Sequence, residues 1–197
     1  MNARLTAILA AATVAAVITS GPAPRAQGLG INPFGTYYEN VARAAKQNDA
    51  GLVRSLLANG SPPDQTDEAG RTGMHYAAIS GNLQIIAILI KGGAKLDLKE
   101  KLGNTPLHLA ADVNQVEAAK LLLDAGAVVD PENKNGMTPL MVAANRGNVE
   151  IVQALLAKGA SVTKTDYTGR NAAGWAAESR HPAVVRAIKQ AQSAKKS

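Results

Sequence analysis

The sequence predicts an all-α solenoid of about five 33-residue helix-turn-helix units joined by β-turn loops, and three observations carry that prediction. Gly70, Gly103, Gly136 and Gly169 stand 33 residues apart with no insertion between them. In the same register a motif recurs, Gly103-Asn104-Thr105-Pro106-Leu107-His108-Leu109-Ala110-Ala111, with near-copies at residues 70–78, 136–144 and 169–177. Each inner unit then carries a second apolar segment that closes on Gly-Ala, at Gly93-Ala94, Gly126-Ala127 and Gly159-Ala160. A sustained period of this size marks an architecture in which no unit buries its own apolar face and each leans on the next.

The motif reads as the start of a short helix. Thr105 stands where an N-cap hydroxyl satisfies orphan backbone N–H groups, and Pro106 follows at the first helical position, where its missing N–H costs nothing. Leu107, Ala110 and Ala111 fall at i, i+3 and i+4, one apolar stripe, and the small alanine pair lets two helices approach closely.

Taken in order, residues 1–26 precede the array. Arg4 supplies a positive start, Leu5 to Ile18 is an uncharged apolar run, and Ser20-Gly21-Pro22-Ala23-Pro24 breaks it before Arg25-Ala26-Gln27, the layout of a secretory signal peptide cleaved after Ala26. The run of 14 residues is shorter than the ~20 needed to span a bilayer. Residues 27–36 form a Gly-rich linker, with Phe34 as a lid over the first unit. Residues 37–69 are a degenerate N-terminal cap unit, since Ala44-Ala45 and Gly60 lie 33 before Ala77-Ala78 and Gly93. Residues 70–102, 103–135 and 136–168 are the inner units, and the second segment of the first of these, Leu83 to Ile90, is apolar nearly all round, as a helix buried between neighbours would be. Residues 169–190 are the C-terminal cap, where Asn171-Ala172-Ala173-Gly174 replaces the usual start and His181-Pro182 opens the last helix, and 191–197 are a frayed basic tail. Between the two helices of successive units stand Asn48, Gly81, Asn114, Gly147 and Arg180, a position that calls for a left-handed backbone.

The chain resembles the ankyrin repeat over roughly residues 37–197, on the strength of Thr-Pro-Leu-His-x-Ala-Ala and the 33-residue period. The resemblance implies a β-turn followed by two antiparallel helices, and a bond from His75 and His108 to Thr72 and Thr105 that holds the turn. It also implies that the non-motif positions on the turn tips and first-helix edges contact a protein partner. In this chain those residues include the apolar Ile79, Leu102, Val113, Met137 and Tyr167, flanked by Arg71, Arg146 and Arg170, with the apolar ones expected to be exposed.

Other chemistry finds little support. With no Cys there is no thiol catalysis, disulfide or Cys-based zinc site. His75 and His108 occupy equivalent positions on the order of 10 Å apart, too far to share a metal. His181 has no partner implied by spacing. Asp64, Asp97 and Asp130 recur with the period and read as turn residues. No phosphate loop or catalytic constellation stands out, so neither an enzyme nor a cofactor is expected. The net charge of +6 suggests nucleic acid, but its distribution does not. Subtracting Arg4 and Arg25 from 21 basic residues leaves 19 against 15 acidic, and five of those 19 lie from Arg180 onward without a single acid. The body of the stack is therefore neutral, and aromatic residues at 3% offer no stacking platform.

The expectation is an exported, periplasmic or secreted, non-catalytic monomer that binds another protein and meets the membrane only through its signal peptide. Rival readings are an accessory subunit that protects an exported enzyme and a secreted effector acting on host proteins.

Overall fold

The computed structural model describes residues 40–194; the expected signal peptide, the linker with Phe34 and the last three residues lie outside that range. Ten helices fill it, two per unit: α1 (Val41–Lys46), α2 (Ala50–Ala58), α3 (Gly73–Ser80), α4 (Leu83–Lys91), α5 (Pro106–Asp112), α6 (Val116–Asp124), α7 (Pro139–Arg146), α8 (Val149–Ala157), α9 (Ala172–Glu178) and α10 (Pro182–Ala194). The odd-numbered helices pack side by side as an inner layer and the even-numbered ones as an outer layer, each pair bridging the two.

Local chemistry explains where each helix starts. Thr72, Thr105, Thr138 and Asn171 hold extended backbone ahead of α3, α5, α7 and α9, and Pro106 and Pro139 open two of these helices. Among the outer helices, Asp49 accepts from the Leu52 N–H at 2.8 Å and Asn82 from the Ile85 N–H at 2.9 Å. As expected of the position between paired helices, Gly81, Gly147, Asn48, Asn114 and Arg180 all have φ between 59° and 78°. Glycine takes that conformation without a Cβ penalty, whereas Arg180 bears it in full.

The core runs unbroken between the layers. Leu107, Leu122, Leu140, Ile151 and Leu155 expose nothing, and each such side chain contributes about 1.5–3 kcal/mol by leaving water. The alanine pairs at 44–45, 77–78, 110–111 and 143–144 are buried to 1% or less, which is what allows the inner helices to sit close.

Two expectations are corrected. The α4 helix is not buried all round: Ile85, Ile86 and Leu89 are, but Leu83 is 41% exposed and Ala87 faces solvent. Among the described residues nothing packs behind the outer layer, so even an apolar helix keeps one wet side. The last helix also continues to Ala194, beyond the expected end at 190, because no Gly or Pro interrupts residues 183–194.

The loops between units are paired hairpins. The N–H groups of Asp67, Glu100, Asn133 and Asp166 donate to the carbonyls of Arg71, Asn104, Met137 and Arg170 at 2.9–3.0 Å. Neighbouring tips are joined in turn, Lys101 N–H to Ala69 carbonyl, Lys134 to Leu102 and Tyr167 to Asn135, each at 3.1 Å. Asp64, Asp97 and Asp130 act as structural ties, accepting from the N–H groups of Lys95, Val128 and Ser161 in the following unit at 2.9 Å.

Candidate interaction surface

The hairpin tips and the open edges of α3, α5, α7 and α9 form one continuous face, and its rigidity begins below the tips. Asp67, Glu100, Asn133 and Asp166, 33 residues apart, each turn one side-chain oxygen to two backbone N–H groups of their own hairpin, at 2.9–3.2 Å. Sequence reasoning missed this row because three residue types fill it; what is constant is a terminal acceptor oxygen. Burial alone would raise the Asp67 carboxyl, but bonds from the Tyr76 hydroxyl and the Arg71 and Ala69 N–H groups, with the Arg71 charge, outweigh it and hold the group below its ordinary value. Asp166 is held low in the same way, against burial, by Thr168, the Arg170 N–H and the Trp175 indole, whose Nε1 lies 2.9 Å away. Tyr76 and Trp175 occupy equivalent positions on the inner helices, and both lock the hairpin below them.

His75 and His108 brace the same surface from inside. In each, Nδ1 accepts from the threonine backbone N–H at 3.1 and 3.2 Å and lies 2.9 Å from the threonine hydroxyl. The proton therefore resides on Nε2, which donates across the unit boundary to the Asn104 carbonyl (3.1 Å) and the Met137 carbonyl (2.9 Å). With both ring nitrogens engaged, neither imidazole offers a lone pair to a metal. Burial pushes His75 down and His108 down to about 4, so both are neutral at pH 7. His181 is not solitary: it stands in register with Gln115 and Asn148, and all three reach back to carbonyls of the preceding inner helix or its end, Ile79, Ala111 and Asn145.

The eight residues expected to meet a partner separate into three groups. Leu102 and Tyr167 stand out at 63% and 75% exposure, and Val113 is exposed at the end of α5. Arg146 is engaged with Asp112 at 2.7 Å, and Arg170 lies 4.3 Å over the Trp175 ring while pairing with Glu178. Arg71 is half-buried beside Tyr76, 5.9 Å from its ring centre. Met137 corrects the expectation of an exposed anchor, and Ile79 shares its half-buried state. The Met137 side chain packs against the core, because it follows the hairpin tip in the short segment that descends to α7. It borders a groove of about 190 Å³ shared with Asn104, His108, Leu109, Asp112, Asn133, Val142 and Asn145. Lys101 and Lys134, beside Leu102 in the stacked tips, make no side-chain bond among the described residues.

Comparison with known families decides the classification. A family model described as Ankyrin repeats (3 copies) matches residues 41–133 and again 126–196. The chain belongs to the ankyrin repeat family. Ankyrin repeats generally mediate protein–protein interaction and are typically non-catalytic. A search of curated proteins finds no match. Among the described residues no group of three or more His, Asp or Glu side chains could hold a metal, and no helix is long and apolar enough to cross a membrane.

Proposed function

We propose that this ankyrin protein is exported and works by holding another protein against the hairpin-tip face, with Leu102 and Tyr167 as apolar anchors and Lys101 and Lys134 beside Leu102 in the stacked tips. One observation carries the choice of face. Leu102 and Tyr167 expose most of their side chains on a backbone fixed by hydrogen bonds between neighbouring tips, so presenting them to a partner requires no ordering of the loops. Large apolar residues on a rigid frame are what interface centres use, with charged side chains such as lysines at the rim. Val113 extends the surface at its inner-helix edge, while Arg146, Arg170 and Arg71 act mainly within the stack. Export rests on the leader: a basic start, an apolar run too short to span a bilayer, and a helix-breaking segment before Ala26.

A photo-crosslinking side chain placed at Leu102, and separately at Glu117 on the outer helix α6, tests the reading. Exported protein should capture a discrete partner from position 102 and not from 117. Equal capture at both positions, or capture only at 117, would assign the work to the other face.

A further inference from the structure

The C-terminal end of the stack holds a second opening, away from the hairpin tips. Its volume is about 540 Å³, and it is lined by Ala176, Ala177, Arg180, His181, Pro182, Val185 and Arg186 at the junction of α9 and α10. We infer that this slot is a docking site for an acidic amphipathic helix of a partner protein, which takes the place of a sixth unit.

The alanine pairs supply the first reason. In four successive units the second alanine (Ala45, Ala78, Ala111, Ala144) is 1% or less exposed, on an inner helix that packs against the inner helix of the next unit. Ala177 holds the same position in the fifth unit and faces solvent. The floor of the slot thus has the shape that elsewhere in this molecule receives a helix with small residues on one face. Val185 is only half-buried at the outer wall, and the His181 ring is fixed by its 3.1 Å bond to the Asn145 carbonyl.

Charge supplies the second. No acid lines the slot, while Arg180 and Arg186 stand exposed at its rim without an ion pair or side-chain hydrogen bond among the described residues. Arg146 and Arg170, by contrast, are each spent on an acid of their own chain. Residues 180–197 include five basic residues and no Asp or Glu. A second copy stacking end to end offers no excess of acid among the described residues at its opposite end, where α1 and α2 carry Lys46 and Arg54 against Asp49.

Backbone strain supplies the third. Arg180 has φ 61° at the position where the other units place Gly or Asn. A long cationic side chain there is held at a conformational cost, as happens where the side chain serves something other than the fold.

The test uses the full chain and a helical probe peptide of roughly 15 residues with an Ala/Leu face flanked by glutamates, beside the same peptide with lysines. Amide chemical-shift changes on adding the glutamate peptide should centre on Ala177, Arg180, Val185 and Arg186 and weaken with salt. Arg186→Gln should lower affinity by about fivefold, and Arg180→Gly should do the same while raising the melting temperature. Leu102→Ala and Tyr167→Ala should leave peptide binding unchanged, which keeps this site separate from the hairpin-tip face. Equal binding of the lysine peptide, or shifts confined to the hairpin tips, would overturn the inference. So would sedimentation showing end-to-end oligomers that Arg186→Gln disrupts, or Arg-dependent binding to vesicles of about 30% anionic lipid with no binding of the glutamate peptide.

Discussion

The buried histidines make stability depend on pH in a range where the carboxylates are silent. His108 is 1% exposed, and burial holds it neutral with its pKa pushed down to about 4, against 6.5 for a free imidazole. Between those values the unfolded chain binds a proton that the folded chain refuses, so stability is full above the unfolded value and falls as the pH drops toward 4. The slope reaches about 1.4 kcal/mol per pH unit for one such group, and integration gives about 2 kcal/mol lost between pH 8 and pH 5 from His108 alone. His75 is shifted in the same direction for the same reason, burial, and adds to the fall. Asp67 and Asp166 are held below the ordinary carboxylate value, so their contributions are lost only at more acid pH. Urea melts followed by far-ultraviolet circular dichroism at steps from pH 8 to pH 5 measure the effect. His108→Gln keeps a side-chain acceptor for the Thr105 N–H but gives up the bond to the Met137 carbonyl, and should cost about 1–3 kcal/mol at pH 8. Its stability should then fall less steeply than the parent's. An unchanged pH slope in this variant would refute the claim that His108 is kept neutral by the fold.

Three further outcomes are expected. Gly81→Ala should destabilise by roughly 1–3 kcal/mol in denaturant melts, because φ is 69° and the new Cβ would lie 2.2 Å from Gln115 Oε1, forcing that side chain off the Ile79 carbonyl; Asn114→Gly, at φ 59°, should be neutral or mildly stabilising. Leu102→Ala and Tyr167→Ala should each shift stability by less than about 0.5 kcal/mol yet weaken binding to a captured partner by roughly 1–2 kcal/mol, as read by calorimetry, while charge changes at Glu117 and Glu150 should do neither. Intact mass of the exported protein should show an N-terminus near Gln27; retention of residues 1–26 would favour a membrane anchor.

Much of the scaffold was legible because the fold reuses the same backbone solutions at a fixed interval. Thr105-Pro106 reads as a helix start, and Ala110-Ala111 as a close contact, from local chemistry alone. The left-handed position between helices was legible from Gly81 and Gly147, and it correctly predicted φ > 0 at Asn114 and even Arg180. What escaped was chemistry conserved in kind but varied in residue. Asp67, Glu100, Asn133 and Asp166 share an acceptor oxygen, and Gln115, Asn148 and His181 share a donor that reaches back one unit. Matching by residue identity hides both rows; matching by hydrogen-bonding role at the 33-residue interval recovers them. Met137 escaped for another reason: it lies just past the tip at Asn135-Gly136, and position near a tip does not tell whether a side chain meets the solvent or, as here, packs against the core.

The same repetition explains why the sequence offers a candidate face but no partner. At the hairpin tips the backbone bond is constant, Lys101 to Ala69, Lys134 to Leu102, Tyr167 to Asn135, while the side chains differ at every step. Below the tips the reverse holds, with acceptors and small residues repeated because the stack fails without them. A position whose backbone serves the fold and whose side chain is left exposed can change without cost to stability, so recognition can accumulate there. Leu102 and Tyr167 are large and mostly exposed at such positions, where solvation alone would favour polar residues. The end slot follows the same logic at one remove. Arg180 occupies a position where Gly or Asn would suit the backbone better, so there the fold bears a cost that a partner's carboxylates would offset.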